Sequence, residues 1–276
     1  MRTELPLDCE LTAKAIRTFL KDYVDRVGIK KAVVGLSGGI DSTVTAYLTA
    51  EVFGKDNLLG IIMPSKANTN LDTDHGLLVA KKLRIRHKII PIQDMVDAFE
   101  RNTGTKTIDR ISRGNIMARC RMILLYFWAN IEKAVVLGTS DKTEILLGYF
   151  TKFGDGGSDI MVIPSLYKTQ VRKMAEYLGV PPEIIKKAPS AGLWTGQTAE
   201  GEIGIKYDDL DFILYHLLEK RYSPEEIITK LGIVRGDVEK VIHMVRNSEH
   251  KRQTPRYPKI GPREINWDYR YPVERS

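Results

Sequence analysis

Cysteine is nearly absent: the chain carries two, Cys9 and Cys120, in 276 residues. Two distant thiols make neither a disulfide framework nor a zinc site, which points to a reduced, cytoplasmic protein. Long apolar runs are missing as well. The longest uncharged apolar stretch, 122–131, has ten residues between Arg121 and Glu132. That is too short for a membrane span, so it reads as a buried helix with Phe127 and Trp128 in the core. The first residues, Met1-Arg-Thr-Glu-Leu-Pro, carry acids and lack an apolar signal core. No internal repeat is visible. The one biased quantity is a net charge of +7. Acids and bases interleave along the chain, so the excess suits a polyanionic small substrate as well as a nucleic acid.

What is present is a phosphate-loop pattern, Gly35-Leu-Ser-Gly-Gly-Ile-Asp-Ser42, directly after the apolar run Ala32-Val33-Val34. Gly38 and Gly39 let backbone approach an anion without an intervening Cβ. Ser37 and Ser42 add hydroxyls, and the N–H groups of the following helix point at the same spot. No Walker Gly-Lys-Ser/Thr is found; an acid, Asp41, stands where its lysine would be. An acid beside a polyphosphate requires a cation between them, so Asp41 reads as a Mg²⁺ ligand. The pattern resembles the PP-loop of the ATP pyrophosphatases, which cleave ATP between its α- and β-phosphates and transfer AMP.

Around this loop strand and helix patterns alternate. Helices are expected at 11–27, 43–53, 71–83, 94–101, 112–131, 142–147 and 170–178, and strands at 32–36, 58–63, 86–92 and 134–137. A short extended piece is expected at 161–163. The alternation predicts an α/β fold, a doubly wound parallel sheet with helices on both faces and ligands beyond the strands' carboxyl ends. After Pro181 the pattern changes. Residues 188–205 read as a mobile loop and candidate lid, followed by a helical C-terminal part with helices at 208–220, 224–231 and 236–247. Residues 1–253 read as one domain, with its helical part from about 206, and 254–276 as a Pro/Arg/Tyr-rich tail. His216 and His243 read as packing or surface residues.

A second constellation, Gly138-Thr-Ser-Asp-Lys-Thr-Glu144, also follows an apolar strand. Glu144 either completes the shell begun by Asp41 or supports a helix cap at Ser140 or Asp141. Next comes Gly148-Tyr-Phe-Thr-Lys-Phe-Gly-Asp-Gly-Gly-Ser-Asp159, then Ile163-Pro-Ser-Leu-Tyr-Lys168. Together with Gly114-Asn-Ile-Met-Ala-Arg-Cys-Arg-Met122, Gly204-Ile-Lys-Tyr-Asp-Asp-Leu-Asp211 and Glu249-His-Lys-Arg252, these segments resemble the ammonia-dependent NAD synthetases, over roughly residues 30–255.

The resemblance implies a Rossmann-like fold of the adenine nucleotide alpha hydrolase type. The implied reaction is amidation of deamido-NAD⁺ (nicotinate adenine dinucleotide) by ammonia, through an acyl adenylate, with release of AMP and pyrophosphate. It implies ATP contacts at Gly35, Leu36, Ser37, Gly38, Gly39, Ile40, Asp41, Ser42, Thr139, Lys168 and Ser190. Asp41 and Glu144 would hold Mg²⁺. Arg119, Lys152, Asp159, His250 and Lys251 would hold the dinucleotide, with Asp159 also a candidate base. Asp41, Lys168 and Asp159 are the catalytic candidates. A homodimer is implied, with the 112–131 helix at its interface. No glutaminase Cys motif is present, which favours free ammonia and leaves a separate glutaminase subunit open. A tRNA-thiolating PP-loop enzyme would need paired cysteines, and a GMP synthetase would leave the 152–159 segment unexplained. No nucleic-acid or membrane partner is expected.

Overall fold

The computed structural model describes residues 4–105, 107–194 and 196–262; of the tail, 263–276 lies outside the described residues. Five parallel strands form one sheet in the order β3-β2-β1-β4-β5. They are β1 (Ala32–Gly35), β2 (Leu58–Ile62), β3 (Arg86–Ile89), β4 (Val135–Gly138) and β5 (Ile160–Met161). Ala32 pairs with Leu58 on one side and Val135 on the other. The strand residues of β1, β2 and β4 are almost all buried, as expected when helices cover both faces. One face is covered by α1 (Cys9–Val27), α2 (Ile40–Phe53), α3 (Asn70–Leu83) and α7 (Lys168–Tyr177); the other by α4 (Gln93–Asn102) and α5 (Arg110–Glu132).

From β1 the chain moves outward to β2 and β3, then crosses back to β4 on the opposite side of β1. The strand order therefore reverses between β1 and β4, the crevice where ligands collect in open parallel sheets. The phosphate loop leaves β1 there, and α6 (Lys142–Leu147) follows β4. A further apolar cluster joins α6 to α10 (Tyr207–Leu218), α11 (Pro224–Leu231) and α12 (Arg235–Asn247).

Helix boundaries follow local chemistry. Asp8 caps α1 through Leu11 N–H, and Gly28 ends it in the left-handed region. Thr69 and Asp72 form a capping box on α3, and Ser223 with Glu226 another on α11.

Two expectations are corrected. The stretch 122–131 is not a buried helix on all sides: Ile123, Phe127 and Ile131 are each more than half exposed. Its apolar residues run all round α5, so one stripe necessarily faces outward. Residues 188–205 are not wholly irregular, since α9 (Ala199–Ile203) lies there with Ala199, Ile203 and Ile205 buried. Thr198 accepts the Gly201 N–H to start that helix and Gly204 stops it. Cys120 is buried as expected, and His216 packs among Phe212, Tyr215 and Tyr222. Among the described residues no helix is long and apolar enough to cross a membrane.

Glu132, at the end of α5, ties two strand entries together. It accepts from both terminal nitrogens of Arg86, at 3.0 and 2.5 Å, and from Lys31 Nζ at 3.1 Å. Hydrogen bonds from Arg86, then Lys31, lower its pKa from 4.5 to about 2. A depressed carboxylate contributes stability above pH 4.5 and loses it as pH falls toward 2. Glu132→Gln should therefore lower stability by about 1 kcal/mol at pH 7, with solvent screening of the half-exposed bases limiting the effect. Thermal unfolding across pH 7 to 3 should show the gap to wild type narrowing below pH 4.5; a constant gap would contradict the ion-pair account.

Candidate active site

The turn after β1 is held by its own hydroxyls. Ser37 Oγ accepts the Gly39 N–H at 3.2 Å and lies 3.0 Å from Ser42 Oγ, which accepts the Ser37 N–H at 3.3 Å. Thr43 Oγ1 donates to Gly39 O at 2.8 Å. Gly38 sits at φ +73°, and a Cβ there would lie 2.2 Å from the Asp72 carbonyl oxygen. Gly38→Ala combines left-handed strain with a backbone clash, so it should destabilise the fold by roughly 1–3 kcal/mol and weaken ATP binding. Calorimetric ATP titration and thermal unfolding check this; a wild-type response in both would contradict it.

The loop opens onto a cavity of about 500 Å³ at the strand ends. Of the residues expected from sequence, Gly35, Leu36, Ser37, Gly39, Ile40, Asp41, Ser42, Thr139, Glu144 and Ser190 line it. Behind Asp41 and Glu144 lies Lys168, completely buried. Its Nζ is 2.7 Å from Asp41 Oδ2, 2.8 Å from Asp141 Oδ2 and 2.9 Å from Glu144 Oε1. Its ammonium therefore meets three carboxylates and is not itself part of the cavity wall.

Of the two readings of Glu144, the helix cap is present. Glu144 Oε2 accepts the Asp141 N–H at 3.4 Å and Asp141 Oδ1 accepts the Glu144 N–H at 2.8 Å, a capping box. The other oxygen, Oε1, faces the Lys168 cluster.

Burial raises the pKa of the Asp141 carboxyl against the opposing pull of Lys168, with the Glu144 and Asp41 charges adding to the rise. Burial likewise raises Glu144, opposed by Lys168 and helped by Asp41. Burial alone would depress Lys168, but Asp141, Asp41 and Glu144 hold it well above the ordinary lysine value. Three carboxylates against one ammonium leave two formal negative charges in excess. Asp41, Asp141 and Glu144 each offer an oxygen within 4.8 Å of the others, and Asp41 Oδ1 is buried without a hydrogen-bond partner. Hard oxygens, surplus negative charge and an orphaned carboxylate oxygen fit a divalent cation such as magnesium.

None of the five residues expected at the dinucleotide lines the cavity. Arg119 donates to Lys152 O at 3.3 Å, and Lys152 Nζ to His250 O at 2.5 Å. His250 Nδ1 lies 3.0 Å from Asn247 O. Lys251 Nζ donates to Gly148 O and Phe150 O at 2.7 and 2.8 Å. Asp159 stands apart from these four: it accepts the Tyr126 hydroxyl at 3.1 Å and the Val136 N–H at 2.8 Å.

Four cavity or cluster residues escaped the sequence reading. Asp141 was read only as a cap. Asp155 lines the cavity, accepts the Thr151 N–H at 2.8 Å and has its pKa raised, chiefly by burial; the run of glycines around it was the available signal. Arg121 also lines the cavity, donating to Met63 O and Asn68 Oδ1. Lys187, just before the 188–205 segment, reaches Gly38 O and Asp72, and no motif marked it.

Residues 12–255 match the family described as NAD synthase. A relative named NH(3)-dependent NAD(+) synthetase, from Sulfolobus acidocaldarius, is 42% identical over 99% of this chain and 97% of its own length. The solved structure of NMN synthetase from Francisella tularensis superposes with a TM-score of 0.82 at 33% identity, covering 92% of this chain and all of that one. That of NH3-dependent NAD synthetase from Campylobacter jejuni superposes at 0.78 with 28% identity, again covering 92% and 100%. With its phosphate loop, its acid cluster and nearly its whole length accounted for, the chain belongs to the NAD synthase family.

Proposed function

We propose that this protein forms NAD⁺ from deamido-NAD⁺, ammonia and ATP, releasing AMP and pyrophosphate. The observation that carries the reading is the convergence of the Gly35–Ser42 loop, Asp41 and Glu144 on one cavity, with the Asp141 carboxylate buried behind them, in a chain akin to enzymes of that name. A carboxylate resists nucleophilic attack because attack would add charge to an anion. Adenylation removes that charge and installs AMP as a leaving group.

The loop N–H groups and the α2 N-terminus would receive the phosphates. Arg121, also in the cavity wall, supplies positive charge there. Mg²⁺, held by Asp41 and Glu144 with Asp141 behind them, would supply charge neutralisation for the departing pyrophosphate. Lys168 fixes the spacing of those carboxylates. Ammonia must lose protons as it attacks the acyl carbon. Asp155, an acid of raised pKa on the cavity wall, suits that task better than Asp159, which is outside the cavity. Of the 188–205 candidate lid, residues 188–194, which line the cavity and follow Lys187, would help keep water from the acyl adenylate.

Residues 1–253 act as the catalytic unit in this reading. A homodimer would cover the apolar stripe of Ile123, Phe127 and Ile131 and complete the dinucleotide site around Arg119, Lys152, Asp159, His250 and Lys251. Two free thiols suit a reducing, cytoplasmic setting.

The test is NAD⁺ formation from deamido-NAD⁺, ATP and Mg²⁺ with either ammonium or glutamine, run beside nicotinate mononucleotide as acceptor. NAD⁺ with ammonium alone supports the proposal. Preference for the mononucleotide would move the protein toward the chemistry named in its Francisella neighbour. AMP release with neither acceptor amidated would retain adenylation and overturn the acceptor.

A further inference from the structure

The segment from Gly204 to Asp211 has no part in the cavity wall. Two of its residues nevertheless meet the acid cluster from below. Tyr207 and Asp211 stand four residues apart in α10, hence on one face, and both are fully buried. Asp211 Oδ1 accepts the Thr143 hydroxyl at 2.5 Å, and Oδ2 accepts the Thr169 backbone N–H at 2.7 Å. The Thr143 hydroxyl oxygen in turn accepts the Lys168 N–H at 3.1 Å.

These contacts fall on two helix starts. Thr143 precedes Glu144 in the first turn of α6, and Thr169 follows Lys168 in the first turn of α7. First-turn N–H groups have no partner within their own helix. The residue before α7, Tyr167, makes no side-chain cap hydrogen bond. Asp211 thus caps α7 directly from another helix through Oδ2, while its Oδ1 holds the Thr143 hydroxyl of α6, which itself accepts the Lys168 N–H. A carboxylate at the α7 N-terminus is also favoured by that helix's dipole. The Tyr207 ring lies 5.3 Å from Lys168 Nζ, measured to its centroid, which closes the cluster's underside.

We propose that Asp211 is a positioning residue for the amidation, holding Glu144 and Lys168 in register by capping α7 at Thr169 and bonding the Thr143 side chain of α6, with Tyr207 as the floor under Lys168. The proposal rests on the amidation reading for its kinetic test. It does not for its binding test, which needs only protein, ATP and a metal.

The variant is Asp211→Asn, close to isosteric but with a donor where one of two acceptors is required. Thermal unfolding gives the folded fraction, and all rates are taken per folded molecule. Outer-sphere partners of metal ligands typically contribute about 10–100-fold to activity or metal affinity. The kcat of Asp211→Asn should fall by about that factor, with KM for deamido-NAD⁺ within about twofold of wild type. Mn²⁺ binding to the ATP complex, followed by electron paramagnetic resonance, should weaken by about tenfold. Thr143→Val severs the same chain, so the double variant should lose little beyond the worse single. A purely structural Asp211 would lower the unfolding midpoint and leave kcat and Mn²⁺ affinity at wild-type values; that result overturns the proposal, as does a double variant whose losses multiply. If wild type makes no NAD⁺ the amidation reading fails, and the Mn²⁺ measurement still decides the positioning role.

Discussion

Lys168→Met should lose stability and turnover together. The wild-type ammonium is wholly buried and meets Asp41, Asp141 and Glu144 within 2.9 Å. Methionine fills much of the volume but leaves those acids without a cation. Breaking a buried ionic cluster by removing one partner typically costs about 3–5 kcal/mol. The acids can escape by taking up protons, and Asp141 and Glu144 already have raised pKa values beside the lysine. Without it their pKa values rise further. A carboxyl whose folded pKa exceeds its unfolded value loses stability as pH rises between the two, so the variant's deficit should grow from pH 5 to pH 8. Added Mg²⁺ should restore part of the loss at pH 8, because a divalent cation supplies the missing charge. Turnover should fall by about 10²–10³, the usual loss when one preorganised electrostatic contact is removed from a site. Lys168→Arg should not rescue it, since a planar guanidinium cannot meet three oxygens converging on one point. Thermal unfolding with and without Mg²⁺ across this pH range, beside the NAD⁺ assay, decides it. A wild-type midpoint at pH 8 would remove the basis for treating the cluster as a charge-balanced unit.

The sheet and its loop were legible because they depend on local patterns. Apolar runs such as Ala32-Val33-Val34, glycine at Gly38 and Gly39, and helix starts with caps all leave their mark within a few residues. The topology places Asp41 and Glu144 at the same crevice because β1 and β4 are neighbours, and the alternation of strands and helices anticipated that parallel arrangement. What stayed hidden depends on pairing across long stretches of chain. Lys168 lies 127 residues from Asp41 and Asp211 lies 68 from Thr143, and periodicity carries no information about such contacts. Asp141 looked like a helix cap, and is one; its exposure of zero, which makes its second oxygen matter, appears only once α7 is packed against it. The outward face of α5 was misread because an apolar run looks alike whether it lies in a core or forms a surface stripe. Ile123, Phe127 and Ile131 are as apolar as core residues and differ only in where the helix turns them.

Asp41→Ala and Glu144→Ala should each lower turnover by at least about 10²–10³ while leaving the fold intact. The stability response should oppose that of Lys168→Met. Each substitution removes one negative charge from a cluster holding two in excess, so mutual repulsion falls and Lys168 keeps two carboxylate partners. Asp41→Ala is the cleaner of the two. Asp41 Oδ1 is buried without a hydrogen-bond partner, and its removal deletes an uncompensated acceptor. Glu144→Ala also breaks the capping box on α6, which offsets the electrostatic gain by about 1 kcal/mol. Asp41→Ala should therefore unfold at or above the wild-type midpoint without Mg²⁺, and Glu144→Ala near it. Mg²⁺ in the presence of ATP should raise the midpoint of wild type and should do so less for either variant, because a ligand stabilises only the state that binds it. The pair of readouts separates two explanations that activity alone would merge. If the acids serve as metal ligands, turnover and the Mg²⁺-dependent stabilisation fall together while the fold holds. If they serve only to balance Lys168, both variants keep the Mg²⁺ response, and near-normal turnover in either would sink the magnesium assignment.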